Sequence, residues 1–284
     1  MTEFGIFVVI TLALVGIGSG VWRLIRGPAK QRSGSAFRVV VLSLTCAALV
    51  SVSAWRISKS RTFQCFGGIV QRVDTSAPVV ALTFDDGPSS QFTEEVLAIL
   101  REHDVRATFF VTGRALEENE AAAHRIVEEG HELGNHTYSH QRMVLKSYAF
   151  IQREIERTDQ LIREVGYEGD IHFRSPYGKK LIALPYYLDQ TGRLNIFFDV
   201  EPESYPEVAA DADRIVEHAL GKVRPGSIVL LHVMHESRVE SRRALPGIIQ
   251  GLQEQGYDFV TVSELLALSP GSAMVVMEEE RTIK

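Results

Sequence analysis

The sequence predicts an α/β protein in which an incomplete barrel of parallel strands follows two transmembrane helices. Two apolar segments without a charged residue, Phe4–Trp22 and Val39–Trp55, lie near the start of the 284-residue chain. From Pro78 onward, short β-branched runs alternate with amphipathic stretches, which is typical of repeated βα units. Seven such runs over residues 73–268 give about 28 residues for each unit, close to the ~30 residues of a βαβ repeat.

The first 55 residues are predicted to form a membrane anchor with helices at about residues 4–22 and 39–55. These segments of 19 and 17 uncharged residues approach the roughly 20 residues that cross a hydrocarbon core. The chain opens Met-Thr-Glu rather than with a basic region, which favours a retained helix over a cleaved signal peptide. Buried core helices are the alternative, but such helices normally carry a polar stripe, which neither segment shows.

The distribution of positive charge predicts the orientation of this anchor. The loop between the two segments is basic, whereas no Lys or Arg precedes Phe4, so the positive-inside rule places the loop in the cytoplasm. The domain after Trp55 then lies outside the cytoplasmic membrane, although Arg56, Lys59 and Arg61 reduce the asymmetry. The basic residues of the loop are Arg23, Arg26, Lys30, Arg32 and Arg38.

Beyond the anchor, the sequence divides into a polar linker at residues 56–77, a folded domain at 78–268 and a tail at 269–284. The predicted strands are Val79–Phe84, Ala107–Thr112, Glu132–Asn135, Ile171–Arg174, Leu194–Val200, Ser227–His232 and Phe259–Val262. The predicted helices are Thr93–His103, Glu117–Glu129, Tyr148–Val165, Ala209–Leu220 and Ser241–Gln255. Functional side chains are expected at the carboxyl ends of the strands.

Charge and cysteine content exclude some classes of partner. Residues 73–284 carry 21 of the 30 basic and 35 of the 36 acidic residues, a net charge of −14, so nucleic acid is not expected as a partner. Cys46 and Cys65 lack the C-x-x-C spacing of metal or redox sites and cannot make a disulfide framework.

Two acidic residues and two histidines follow predicted strands. The first strand runs directly into Asp85-Asp86-Gly87-Pro88; an ordinary turn is the simpler interpretation of that motif alone. His136 and His140 follow the third strand at a spacing that places two imidazoles on one face of a helical turn. With an oxygen ligand from Asp86, they would complete the three-ligand arrangement of a catalytic zinc site.

Two further strand ends carry basic side chains. Arg174 ends the fourth strand, where a guanidinium near buried residues is expected to have a carboxylate partner. His232 ends an apolar strand; alone it would be interpreted as a core histidine, but beside carboxylates and a metal it becomes a candidate general acid.

Together these motifs resemble those of the polysaccharide deacetylases of carbohydrate esterase family 4, over about residues 78–268. The family's NodB-like domain is a distorted seven-unit (β/α) barrel, so the resemblance implies that fold. Four motifs in order are far more specific than any one of them. They are Thr83-Phe84-Asp85-Asp86-Gly87-Pro88, His136-Thr137-Tyr138-Ser139-His140, Arg174-Ser175-Pro176-Tyr177-Gly178 and Leu230-Leu231-His232.

The resemblance also implies a role for each motif residue in removing N-acetyl groups from an amino-sugar polysaccharide or oligosaccharide. Asp85 would be the general base, oriented by Arg174, and His232 the general acid. The ligands of a divalent metal, usually Zn²⁺, would be Asp86, His136 and His140. Tyr177 would donate its backbone N–H to the oxyanion, and Leu230 and Pro176 would contact the substrate.

One motif departs from the family pattern. Ser204-Tyr205 occupies the place of an Asp-Trp pair whose Asp binds the acid histidine. A serine cannot hold an imidazolium as a carboxylate does, so Asp199, Glu201 and Glu203 are the candidate partners of His232. The acid step is therefore either rewired or impaired.

Three functions remain open at this stage. An extracytoplasmic metal-dependent deacetylase is the leading hypothesis. A catalytically impaired cell-surface polysaccharide-binding protein is an alternative, and a phosphoesterase would normally call for a more cationic site or a second metal. The sequence names neither the glycan nor the oligomeric state, and Lys179–Gln190 is either a sugar-binding wall or an ordinary helix-capping connection.

Overall fold

The computed structural model describes Trp22 and residues 29–269, with side chains from Phe37 onward. It divides into two compact units whose boundary lies between Ser60 and Arg61.

The first unit contains one long helix, α1, at Ala29–Lys59. Its 23-residue portion Phe37–Lys59 is long and apolar enough to cross a membrane by length and composition, and most of its side chains are exposed. This portion includes the second predicted transmembrane segment and continues past it to Lys59, whose ammonium group lies 3.3 Å from the ring centre of Trp55. The first predicted segment lies outside the described residues except for Trp22, so a second transmembrane helix stays a prediction.

The second unit contains the alternating strands and helices. Its strands are β1 Ile69–Val70, β2 Val79–Asp85, β3 Thr108–Val111, β4 Glu132–Asn135, β5 Asn195–Ile196, β6 Ile228–Leu231 and β7 Asp258–Val260. Its α-helices are α2 Thr93–Glu102, α3 Gly113–Glu118, α4 Glu120–Glu128, α5 Tyr148–Glu164, α6 Ala183–Gln190, α7 Pro206–Ala209, α8 Ala212–Lys222, α9 Val239–Glu254 and α10 Val262–Ala267. The α/β class is confirmed.

All the strand ladders are parallel, and β2 lies at their centre. One edge of β2 pairs with β6. The opposite edge pairs with β7 near its start, at Val79–Ala81, and with β3 near its end, at Thr83–Asp85. From β4, single parallel bridges at Phe173 lead to β5, and a bridge at Val200 leads back to β6. These bridges and the chain between β5 and Val200 connect the two edges of the five-stranded sheet.

The alternation of side chains along β2 determines which of its residues face the site. Val80, Leu82 and Phe84 belong to the large core cluster that includes α2, α4, α8 and α9. Ala81 belongs instead to a second cluster with Phe110, Phe198 and Leu230. Because successive residues of a strand point to opposite faces, Asp85 shares the face of Ala81 and Thr83. The strand therefore ends with a carboxylate directed into the interior.

Several elements differ from the predicted ones for local reasons. The predicted strand at 171–174 keeps only the bridge at Phe173, because the chain turns at Pro176, which lacks a backbone N–H to donate. The predicted helix at 117–129 is broken at Asn119, whose side chain hydrogen-bonds the backbone of Ala115 and Ser90 instead of continuing the helix. Within residues 56–77, the predicted linker, β1 pairs with β5.

Candidate active site

Asp85 and Arg174 form a buried ion pair at the carboxyl end of β2. The guanidinium Nη1 of Arg174 donates to Asp85 Oδ1 at 2.7 Å and to Thr83 Oγ1 at 3.0 Å. Its Nε donates to the carbonyl of Ile196, and the guanidinium carbon lies 3.9 Å from the ring centre of Phe110. These contacts fix the arginine, which in turn fixes one carboxylate oxygen and leaves the other facing the histidines.

The electrostatic environment keeps Asp85 ionised. Burial acts to raise the pKa of Asp85, but the charges of Arg174, His136 and His232 outweigh it and hold that pKa below its ordinary value. A buried carboxylate that stays charged and has one free oxygen is suited to accept a proton.

Asp86, His136 and His140 place three ligand atoms around one point. Asp86 Oδ1 lies 3.1 Å from His140 Nε2 and 3.6 Å from His136 Nε2, and all three atoms lie within 4.8 Å of one another. The turn after β2 directs Asp86 there, because its backbone adopts a φ of +74°, a region that residues other than glycine seldom occupy.

The donor set fits a divalent metal. His136 Nδ1 donates to the Arg174 carbonyl at 2.8 Å, which fixes the tautomer in which Nε2 offers its lone pair. Burial lowers the pKa of His140 to about 4, so this imidazole is neutral as a ligand requires. Asp86 Oδ1 is buried and has no hydrogen-bond partner among the residues that the structure describes, although buried polar atoms normally have one. A cation among these three atoms would satisfy it.

Helix α5 holds the segment that carries the two histidines. Glu154 on this helix accepts hydrogen bonds from the backbone N–H of Ser139 at 2.8 Å and from its hydroxyl. Asn135 donates to the Ile155 carbonyl and to Asp159 on the same helix. The segment needs such support because Thr137 and His140 both have positive φ angles, +66° and +52°.

His232 is paired with Glu203. His232 Nδ1 donates to Glu203 Oε2 at 2.5 Å, and the backbone N–H of His232 lies 3.1 Å from both carboxylate oxygens. The Ser241 hydroxyl donates to the other oxygen. Burial acts to lower the pKa of His232, but the hydrogen bond to Glu203 and nearby carboxylates, including Asp85, raise it to about 9. The imidazole is thus protonated at neutral pH.

The other two candidate partners of His232 bind elsewhere. Asp199 accepts from the Ser227 hydroxyl and the backbone N–H of Ile228. Glu201 accepts from Arg61 at 2.5 Å and from the Ser204 hydroxyl. The carboxylate missing at position 204 is therefore supplied from the preceding residue, Glu203.

The remaining predicted site residues lie around these groups. Tyr177 has a φ of +56°, and its exposed ring lies 4.5 Å from that of His140, centre to centre. Pro176 is buried and starts the 3₁₀ turn that contains Tyr177. Leu230 is buried on β6 two residues before His232.

Thr83, Glu154 and Ser241 contribute to the site but were not among the candidates. The sequence could have indicated Thr83, because residues two apart on a strand share a face and Thr83 precedes Asp85 by two. Glu154 and Ser241 lie on helices outside the strand-end motifs, so no spacing rule connects them with the site.

Comparison with known proteins identifies the family. A model of the polysaccharide deacetylase family matches residues 72–195. A chitooligosaccharide deacetylase of Sinorhizobium fredii is 38% identical, over 57% of this chain and 75% of that protein. A peptidoglycan-N-acetylglucosamine deacetylase of Bacillus cereus is 32% identical, over 70% of this chain and 93% of that protein.

A solved structure shares the fold. The crystal structure of the peptidoglycan N-acetylglucosamine deacetylase Bc1960 superposes with a TM-score of 0.64 and 32% identity, over 69% of this chain and 91% of that one. The chain therefore belongs to the polysaccharide deacetylase family and is a polysaccharide N-deacetylase.

Proposed function

We propose that this protein is a metal-dependent hydrolase that removes N-acetyl groups from an amino-sugar glycan outside the cytoplasmic membrane. The observation that carries the proposal is the proximity of Asp86, His136 and His140 to a charged base, Asp85, while His232 is held protonated by Glu203. Relatives named for peptidoglycan and chitooligosaccharide deacetylation support this class of substrate.

Asp86, His136 and His140 would hold the metal, which we propose to be Zn²⁺. When bound, such an ion polarises an amide carbonyl and lowers the pKa of a water molecule to about 7. Asp85 would take the proton of the attacking water, because its Oδ1 is engaged by Arg174 and its Oδ2 faces His136 at 3.7 Å. Arg174 has the role of keeping this base ionised and oriented.

His232 would donate the proton that the leaving nitrogen requires. An amide anion is a very poor leaving group, so bond cleavage needs a positioned acid. Glu203 supplies the negative charge that keeps His232 protonated at neutral pH. We therefore propose that the acid step is rewired rather than impaired.

Three further residues complete the proposed pocket. The backbone N–H of Tyr177 would donate to the oxyanion, a type of contact that lowers the barrier by roughly 3–4 kcal/mol in other acyl-transfer enzymes. Leu230, whose buried side chain belongs to the interior cluster with Phe198, would contact the acetyl methyl group, beside Pro176.

We also propose that the protein is anchored in the cytoplasmic membrane with its catalytic unit on the outer side. Helix Phe37–Lys59 supports an anchor by its length and composition. The basic residues before it support an extracytoplasmic catalytic unit. Glycans of the cell envelope lie on that side.

The test is acetate release from N-acetylglucosamine oligomers and from peptidoglycan by the full chain in detergent. We expect release that a chelator abolishes and Zn²⁺ restores, with metal analysis showing one ion per chain. Asp85→Asn should lose at least a hundredfold in rate. Asp74→Asn, a change at an exposed carboxylate in an ion pair, is the matched control.

The same experiment separates the alternative function. Glycan binding without acetate release, from a chain that contains its metal, would indicate a polysaccharide-binding protein instead. Release that persists after complete removal of metal would contradict the proposed mechanism.

A further inference from the structure

Arg61, two residues after the end of α1, contacts the loop that carries Glu203. Its Nη2 donates to Glu201 Oε2 at 2.5 Å and to the Ser204 hydroxyl at 3.3 Å. Ser204 in turn donates to the same Glu201 carboxylate. The side chains of Arg61, Glu201 and Ser204 thus bind one another across the 3₁₀ turn Pro202–Ser204. Glu203 lies between Glu201 and Ser204 in the sequence.

Arg61 also stacks on Phe198. Its guanidinium carbon lies 4.4 Å from the ring centre of Phe198, and that of Arg174 lies 5.5 Å from the same ring. The ring of Phe198 is thus a common neighbour of the arginine that holds Asp85 and of the arginine that binds the Glu203 loop. Stacking of this kind fixes the plane of a guanidinium and makes it a rigid hydrogen-bond donor.

The segment that carries Arg61 is itself attached to the catalytic unit. Gln64 donates to the carbonyl oxygens of Phe66 and Gly68 and accepts from Asn195 at 3.1 Å. Immediately afterwards, Ile69 and Val70 pair with β5. The chain that follows Arg61 is therefore attached to β5 and to Asn195 within a few residues.

The carboxylate that binds His232 stands at a different position from the one in the family pattern. Where the family has an Asp that reaches the acid histidine, this chain has Ser204, and the carboxylate comes from Glu203 in a turn. The turn itself is held by the backbone bond from Ser204 N–H to the Glu201 carbonyl. The side chains of Glu201 and Ser204 flank Glu203, and both are bound by Arg61.

We infer that Arg61 is a positioning residue for the Glu203–His232 pair. The segment that directly follows α1 is therefore part of the catalytic apparatus. This inference rests on the proposed function in taking His232 as the general acid. Arg61 acts through Glu201 and Ser204 and touches neither the substrate nor the reacting atoms.

The test compares Arg61→Ala and Arg61→Lys in the full chain. Arg106→Ala is the matched control, because Arg106 also forms an exposed ion pair, at 2.6 Å with Glu264. We expect Arg61→Ala to lower kcat about fivefold, the scale of one partly exposed ion pair, with KM unchanged. Arg61→Lys should recover part of this loss, and Arg106→Ala should leave kcat unchanged.

A second measurement does not depend on activity. The backbone N–H of His232 donates to the Glu203 carboxylate, so its hydrogen exchange reports directly on the position of Glu203. We expect exchange at His232 and across residues 198–205 to become faster in Arg61→Ala and not in Arg106→Ala.

The possible results separate the two proposals. Unchanged exchange and unchanged kcat in Arg61→Ala would overturn the positioning role, as would equal losses in Arg61→Ala and Arg106→Ala. If the wild-type chain released no acetate, the proposed function would fail, and the exchange measurement alone would still decide whether Arg61 holds Glu203.

Discussion

At the scale of single residues, the charge of Glu203 decides whether His232 can act as an acid. Burial alone would leave this imidazole neutral at pH 7, and the hydrogen bond from Nδ1 to Glu203 reverses that outcome. The pKa of His232 lies near 9, so the protonated form is present below that pH and is lost as the pH rises through it.

Glu203→Gln should therefore change the pH dependence of deacetylation. The variant removes the charge that raises the pKa of His232, so this pKa should fall toward its ordinary value of 6.5. In kcat/KM profiles, the alkaline limb should move from near pH 9 toward neutrality, with a loss of about thirtyfold at pH 8.

The exposed carboxylate of Glu207 provides the control for this experiment. Glu207→Gln removes one negative charge from α7 and should leave the alkaline limb in place. An alkaline limb that stays near pH 9 in Glu203→Gln would show that another group supplies the proton.

The site residues differ in how far sequence alone could identify them. The proximity of Asp85, Asp86, His136, His140 and Arg174 was predictable, because each ends or follows a strand and the ends of parallel strands meet. Their roles in metal binding and catalysis stay predictions. The partner of His232 was not predictable. Asp199, Glu201 and Glu203 alternate along one short segment, and nothing in its sequence indicates which carboxylate faces the histidine. Only the 3₁₀ turn directs the third of them toward the histidine.

At the scale of elements, α5 keeps the segment Asn135–His140, with its two candidate metal ligands, in a strained backbone conformation. Glu154 binds Ser139 at the residue before His140, whose φ is positive. Removing the carboxylate would release two hydrogen bonds to Ser139 and allow the segment to relax. The effect belongs to the helix as a support, since Glu154 contacts neither histidine in the described hydrogen-bond network.

Glu154→Ala should weaken metal binding. Changes of residues that orient metal ligands typically reduce affinity 10- to 100-fold, and we expect a loss within that range. Competition with a chelator of known affinity measures it. Glu164→Ala, on the same helix, is the control. It removes an exposed carboxylate that accepts a hydrogen bond from Gln160, and it should leave the metal affinity unchanged.

The helices and strands were predicted best where one periodicity covers the whole element. β4 and the start of α5 lie where the sequence places them. For α5 the Ser147 N-cap is a local signal, because its side chain accepts from the backbone N–H of Phe150. The predicted strand at 171–174 could form only by pairing with the chain at Asn135 and at Asn195, which lie 38 and 22 residues away in sequence. The local sequence does not indicate whether such pairings form. Only Phe173 makes those pairings.

At the scale of the whole molecule, Glu132 links stability to pH. It is buried at the start of β4, where one carboxylate oxygen accepts from the Ser263 N–H and the other has no hydrogen-bond partner in the described part of the chain. Burial raises the pKa of Glu132 to about 7, from an ordinary value of 4.5. The folded state binds a proton more readily than the unfolded state, so stability is highest below pH 4.5 for this group and falls as the pH rises to 7.

Glu132→Gln should remove this pH dependence. Its amide oxygen can still accept from Ser263, while the cost of a buried charge, roughly 3 kcal/mol above pH 7, disappears. We expect the variant to unfold like the wild type at pH 4 and to be more stable at pH 8 in urea denaturation. Glu128→Gln, at an exposed position, should show no such gain, and equal stability of Glu132→Gln and wild type at pH 8 would refute the assignment.

The position of Arg61 also limits where the chain can be shortened. The compact unit that contains the strands begins at Arg61, and the side chain of this residue is bound to Glu201. A fragment that began after Arg61 would lose that contact. Fragments without α1 should therefore begin no later than Ser60 if the Glu203 loop is to keep its support.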